Sequence, residues 1–382
     1  MHMARALDTD LVYAFFDASN MHRWNDHLRP LDLTELDKQA HKAAIAWVIG
    51  KYEEDAGNRV DWRKLIEEAM FSFMQRIVLT DLKPELFHRM RKERAGDMNR
   101  YVLEEFSRRV PDMEPGLRSR FEAYLSAKVP SREGGIVGAA HYLATRWEFN
   151  LIYEHNRSMT GIGETRAAIE KGVKAHSGLI GVENILTDST FGFVDLMGQL
   201  RFQQRWARTP RVPQTTVLGH SLMVALMTYL HDLDAGAGDR QVYNDFFTAL
   251  FHDLPEVLTK DVVAPVKTSV GGLTELLDEY ERELMESRMM PLIPEKWREE
   301  FRFMVYEPFT DRDDPILGPR RGRDIKCCDL MAAYIEAYVS RRYGITSRTL
   351  EDGEDSLRRR LNEIGGSIDS TGFMERLDRM RV

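Results

Sequence analysis

Apolar residues recur at spacings of three and four along most of the chain, and alternating β-branched runs are scarce, which predicts an all-α protein. The clearest periodic stretches are residues 36–54, 61–79, 217–232, 241–253, 273–289 and 324–342, separated by Gly, Pro, Asp and Asn. No sheet is expected. From Ser158 to Thr190 the chain is richer in Gly, Ser and Thr and less periodic, which places a domain junction near residue 180. At roughly 100–200 residues per domain, the 382 residues divide into two units, 1–180 and 181–382.

The two units carry the same anchors in the same order, the pattern of an internal repeat. Arg23-Trp24 answers Arg205-Trp206 and His41 answers His220. Asp55-Ala56-Gly57 answers Asp234-Ala235-Gly236, and Val78-Leu79-Thr80 answers Val257-Leu258-Thr259. The offset stays between 179 and 182, so one small gap accommodates all four. Two unrelated helical domains with similar helix lengths are the competing reading.

Composition narrows the class. Hydrophobic residues make up 43% and charged residues 30%, the balance of an ordinary globular chain. Two cysteines, Cys327 and Cys328, are adjacent and poorly placed to staple distant segments, which fits a reducing cytoplasm. No apolar run approaches the roughly 18 residues of a membrane span, and the N-terminus lacks the plan of a signal peptide, so no membrane partner is expected. A net charge of −8 disfavours a nucleic-acid partner. The basic runs at 319–323 (PRRGR) and 357–361 (LRRRL) read as solvated loop or helix faces.

Candidate chemistry concentrates in the second unit. His220 lies in GHSLMVALMTYL, His252-Asp253 closes FFTALFHD, and Asp329 lies in KCCDLMAAYIEAY. Ionisable groups on apolar helix faces are costly to bury unpaired. A shared cation satisfies all four, and a hydrolytic metal centre needs such N and O donors from several helices with one position open to water. An HD dipeptide alone carries little weight, and a single histidine on an apolar face is equally compatible with a packed core. His231-Asp232 is a second HD dipeptide, in a polar stretch (HDLDAGAGD) that reads as a solvated loop. Glu256 follows His252 by four, so in a continuous helix its carboxylate shares that face and reaches a water at the metal. Pro255 leaves that geometry open, and a cap or a lysine partner is the alternative for Glu256.

The order Arg205-Trp206, His220, His252-Asp253, Glu256, Asp261, Asp329 resembles the bacterial HD-domain 5'-deoxynucleotidase family. These are compact all-α phosphohydrolases that remove phosphate from deoxyribonucleoside 5'-monophosphates with a divalent metal. The strings RWARTPRVPQTTVLGHSLMVA, FHDLPEVLTKDVVAPVK and KCCDLMAAY carry the resemblance, over residues 195–345. It implies His220, His252, Asp253 and Asp329 as ligands of one divalent transition metal (Mn, Co, Ni, Fe or Zn), a donor set that does not choose among them. It implies catalytic roles for Glu256 and Asp261. It puts Arg205 on the phosphate, Trp206 on the sugar face where a 2'-hydroxyl clashes, and the loop Asp261, Val262, Val263, Ala264 on the sugar, with Asp253 and Asp329 also facing substrate. That loop reads Asp-Leu-Pro-Thr-Pro-Val-Lys in the family, and Ala264 lacks the hydroxyl. Two-metal HD enzymes need further histidines after the HD pair, and none follows His252, so one metal is expected.

In the first unit the positions of His252-Asp253 fall on Ser72-Phe73 or Phe73-Met74 and that of Glu256 on Arg76 or Ile77, so no ligand set survives there. The expectation is two HD-domain-like helical bundles in tandem, the first degenerate, forming a pseudo-dimer within one chain, with further homo-oligomers open. The function expected is nucleoside 5'-monophosphate hydrolysis, deoxyribonucleotides first. The alternatives are hydrolysis of (d)NTPs or other nucleotides on the same site, and a non-catalytic nucleotide-binding or interaction protein.

Overall fold

The structure, a computed structural model, describes residues 5–80, 84–259 and 273–380. Helices α1 (Thr9–Asp17), α2 (Glu35–Asp55), α3 (Trp62–Val78), α4 (Pro84–Glu93), α5 (Ala95–Arg109), α6 (Pro115–Ser126) and α7 (Arg132–Asn156) make up most of the first half. Next come α8 (Ile162–Lys174), α9 (Ile180–Thr187), α10 (Thr190–Gln199), α11 (Val217–Ala235), α12 (Asp239–Phe251) and a short α13 (Glu256–Thr259). The chain ends with α14 (Leu273–Leu284), α15 (Arg298–Val305), α16 (Gly322–Arg342), α17 (Arg348–Glu363) and α18 (Ser370–Arg379). The protein is all-α, and no described helix is long and apolar enough to cross a membrane. A small antiparallel hairpin, β1 (Arg312–Asp314) and β2 (Gly318–Arg320), is the one departure from the sheet-free expectation. The weakly periodic 158–190 stretch is likewise helical over α8 and α9.

Two helices are central. α11 is buried along Val217–Asp232, as expected of a helix apolar all round. α2 is buried from Glu35 to Gly50 although it carries Glu35, Asp37, Lys38 and Lys42. Each begins with a threonine whose hydroxyl accepts an amide hydrogen bond, Thr34 from Asp37 and Thr216 from Gly219, which pairs a donor that the helix start leaves open. Each ends at an Asp-Ala-Gly whose glycine has positive φ, Gly57 at 82° and Gly236 at 67°, a left-handed position that glycine adopts without a Cβ clash. α2 packs on α7, α9 and α11, while α11 packs on α12 and α16.

One apolar core runs through both halves. At its centre the Trp47 indole of α2 is fully buried and donates Nε1–H to the Tyr243 hydroxyl of α12 at 2.9 Å. Its ring lies 5.4 Å from Phe251 and 5.8 Å from Trp297.

Two polar stretches lie deeper than their letters predict. α11 continues to Ala235, so His231-Asp232 is buried helix rather than solvated loop, with His231 Nε2 2.7 Å from the Ser367 hydroxyl. Arg320, in the basic run at 319–323, is fully buried and donates to the carbonyls of Phe303, Glu307 and Thr310, tying down the hairpin. Both cysteines are free thiols and buried, which pushes Cys327 up to about 12.

Burial also acts on Asp245, opposite Asp232. It pushes Asp245 up to about 7 despite the Arg321 amide that donates to its Oδ1 at 2.8 Å. The unfolded chain releases this proton near pH ~4. Between those values the folded state binds more protons, so stability falls as pH rises through the window. Asp245→Asn is therefore expected to raise the melting temperature at pH 8 more than at pH 5; equal shifts at both pH values contradict this.

Candidate metal centre

Four segments converge beside α11. α11 delivers His220 one turn in from its cap. α12 stops at Phe251, so His252 caps it and Asp253 lies in the turn that follows. α16 supplies Asp329 and, two turns later on the same face, Glu336. The segment before α11 supplies Arg205 and Trp206, held by the Arg205 amide donating to the Thr215 carbonyl at 2.9 Å.

His220, His252 and Asp253 each present a donor atom, all within 4.8 Å of one another, the group among the described residues that could share a metal ion. Asp329 joins them, its Oδ1 2.9 Å from His220 Nε2 and 3.9 Å from His252 Nε2. Asp253 Oδ2 is 3.2 Å from His252 Nε2. His252 Nδ1–H donates to the Ala249 carbonyl at 2.7 Å, which turns Nε2 toward Asp253 and Asp329. That nitrogen is buried and makes no hydrogen bond of acceptable geometry among the described residues. A buried polar atom is costly to leave unpaired, and two imidazoles with two carboxylates are a donor set for a divalent transition ion. The residues fit such an ion.

The electrostatics match. Burial raises the Asp253 carboxyl, but His252, His220 and Arg205 outweigh it and hold it at about 2. Burial likewise raises Asp329, and Lys326, whose ammonium is 2.6 Å from Oδ2, together with both histidines brings it well below the ordinary range. Both carboxylates are thus ionised at neutral pH.

Glu336 is the residue that sequence reading missed. One oxygen accepts from Arg205 Nε at 3.1 Å and from Trp206 Nε1 at 2.9 Å; the other accepts from the Thr215 hydroxyl at 2.6 Å and lies 3.6 Å from His220 Nδ1. One buried carboxylate therefore faces both His220 and Arg205, the placement of a group that orients a metal-binding histidine. Burial raises Glu336, and Arg205, Arg211 and His220 reverse this to well below its ordinary value. Glu336→Gln is expected to weaken metal binding about 10–100-fold, read by titrating metal into stripped protein; unchanged affinity contradicts this.

The remaining expected residues are placed as follows. Glu256 does not continue α12. The chain turns through Leu254-Pro255 and Glu256 opens α13, its amide donating to the Asp253 carbonyl at 3.1 Å and its own carbonyl accepting from Gln203 Nε2 at 2.7 Å. Arg205 approaches the cluster, one terminal nitrogen 3.7 Å from Asp253 Oδ2. Trp206 has φ 57°, and the outer edge of its indole lies against Gly353 of α17. Asp261, Val262, Val263 and Ala264 lie outside the described residues.

The first half repeats the surroundings of this site. Trp24 has φ 54°, and Arg23 Nε and Trp24 Nε1 donate to Glu148 of α7 at 2.8 and 3.0 Å. Isolated bridges join His22 to Thr34 and Gln204 to Thr216. The centre differs. His41 has both ring nitrogens engaged, Nε2 at 2.8 Å from the Val194 carbonyl and Nδ1 at 3.3 Å from the Arg201 guanidinium. Burial and Arg201 lower it to about 3. It is a satisfied core histidine.

Residues 197–315 match the family described as HD domain, so the C-terminal region carries an HD domain. A 5'-deoxynucleotidase of Shewanella oneidensis is 25% identical over 155 residues, 39% of this chain and 74% of that protein. One from Pectobacterium atrosepticum is 21% identical over 157 residues, 40% of this chain and 75% of that protein. One from Vibrio vulnificus is 26% identical over 145 residues, 37% of this chain and 70% of that protein.

Proposed function

We propose that this chain, with an HD domain in its C-terminal region, is a phosphohydrolase that uses one divalent metal to release phosphate from nucleoside 5'-monophosphates, deoxyribonucleotides first. The observation that carries this reading is the buried His252 Nε2, which makes no hydrogen bond among the described residues and is aimed among His220, Asp253 and Asp329. The names of the relatives support the substrate class.

His220, His252, Asp253 and Asp329 hold the ion. When bound it supplies Lewis acidity, polarising a phosphate oxygen and lowering the pKa of a water. Arg205 presents its planar fork to the remaining phosphate oxygens, and Glu336 keeps it in place. Glu256 takes the proton of the attacking water as its oxygen bonds to phosphorus, and returns it to the nucleoside 5'-oxygen as that P–O bond breaks. Trp206 borders the sugar.

The first 180 residues are, in this reading, a degenerate HD-like bundle that takes the place of a second subunit. What supports it is the repeated Arg-Trp-Glu arrangement around Glu148 and Glu336, and the shared core around Trp47.

Product analysis tests the proposal. Orthophosphate and deoxynucleoside from a deoxyribonucleoside monophosphate, with the ribonucleotide slower, is the expected result. Tripolyphosphate or pyrophosphate from a deoxynucleoside triphosphate, with the monophosphate untouched, would overturn the substrate assignment.

A further inference from the structure

The centre of the first half is filled by ammonium groups. Lys38 and Lys42 of α2 are 1% and 2% exposed. Lys42 Nζ donates to the Ser72 hydroxyl at 2.7 Å, and Ser72 is one of the two positions, with Phe73, that answer to His252 in sequence. Lys38 Nζ meets His141 Nδ1 at 2.5 Å. His141 precedes Glu148 by seven residues, as Asp329 precedes Glu336 by seven, so it holds the position of the last metal ligand. Lysine charge thus occupies the region that the proposed ligands occupy in the other half.

That charge is not balanced locally. Among the described residues neither ammonium has a carboxylate oxygen within 4.0 Å. The surrounding buried network joins Arg23 to Glu35 and Glu148, Arg76 to Glu35, and Arg201 to Glu148, with Asp37 held by the Thr34 and Thr216 hydroxyls. With both lysines protonated, five cations (Arg23, Lys38, Lys42, Arg76, Arg201) face three carboxylates (Glu35, Asp37, Glu148), a surplus of two, 5 − 3. Buried charge without a counter-ion is expensive. Burial and Arg23 push Lys38 well down, and burial brings Lys42 to about 7. The cluster reaches balance by shedding protons or by taking up a doubly charged anion. Solvent reaches it along Arg76, whose side chain is 30% exposed, and His141, which is exposed.

We propose that the N-terminal half holds a second, metal-independent site in which Lys38 and Lys42, with Arg23 and Arg76, bind the phosphate of a phosphate monoester. Guanidinium N–H groups and ammonium point charges are donors that phosphate recognition uses. The doubly charged phosphate cancels the surplus that the carboxylates leave. This site is independent of the proposed hydrolysis: its failure leaves the metal centre untouched, and the reverse holds.

The test is calorimetric titration of the full-length, metal-stripped protein with inorganic phosphate and with deoxyadenosine monophosphate. One anion bound per chain is expected. Lys38→Met and Lys42→Met should each weaken binding about ten-fold or more, while Lys42→Arg and Arg205→Ala retain it. Equal affinity for the two probes marks free phosphate as the ligand, and tighter nucleotide binding marks a nucleotide; both support the site. Absence of binding by either probe at millimolar concentration overturns it, whether or not the methionine variants fold. Binding that is lost in Arg205→Ala and unchanged in both methionine variants overturns it as well.

Discussion

Asp253→Ala is expected to purify without its divalent ion and to release phosphate from deoxyribonucleoside monophosphates about a thousand-fold more slowly, the loss of several kcal/mol of transition-state stabilisation. The side chain is 18% exposed, at the mouth of a buried cluster, and Oδ2 lies 3.2 Å from His252 Nε2. Its removal takes one of the two carboxylates of the proposed ligand set and leaves His252 Nε2 facing a gap. A second role is visible in the structure: Asp253 also lies 3.7 Å from Arg205 and helps to balance it. The two roles separate by measurement. If Asp253 only balances Arg205, the alanine variant melts lower but keeps its metal. If it is a ligand, elemental analysis of the folded variant finds none, and Asp253→Asn, which keeps the shape and loses the charge, behaves the same way.

Glu256→Gln gives the opposite pattern: full metal content with turnover lowered by about 10²–10⁴, the usual worth of a positioned acid or base. Glu256 is outside the group whose donor atoms could share an ion. Its backbone is pinned on both sides, by the Asp253 carbonyl and by Gln203, at the corner where the chain leaves the metal. Loss of metal in this variant would make Glu256 a ligand, and wild-type turnover would remove it from the mechanism.

Much of this was legible in the sequence. The periodic runs at 36–54, 61–79 and 324–342 are α2, α3 and α16 to within two residues at each end, because apolar spacing reports the buried face directly. The run at 273–289 is less regular than its pattern: α14 gives way at Met285 to a π-helical turn through Met289, a single-turn distortion that a 3.6-residue period does not encode. His220, His252, Asp253 and Asp329 do come together.

What could not be read depends on partners remote in sequence. Glu336 looks like one more glutamate of an amphipathic helix, and its meaning lies in Arg205, 131 residues earlier. The available signal was its spacing of seven from Asp329, two turns along one face. The buried charges of α2 are hidden for the same reason: Arg201 comes 160 residues after His41, and only the fold brings them to 3.3 Å. His231-Asp232 misled because polar letters near a helix end usually face water, whereas two remote segments, those of Asp324 and Ser367, meet His231.

The central claim is one metal, held by these four residues, driving phosphomonoester hydrolysis. Metal titration of chelator-stripped protein, with phosphate release followed at each addition, tests it most directly. The account predicts no turnover in stripped protein and activity rising linearly to a plateau at one equivalent per chain. Full turnover without metal, or a plateau reached only at two equivalents, would contradict it.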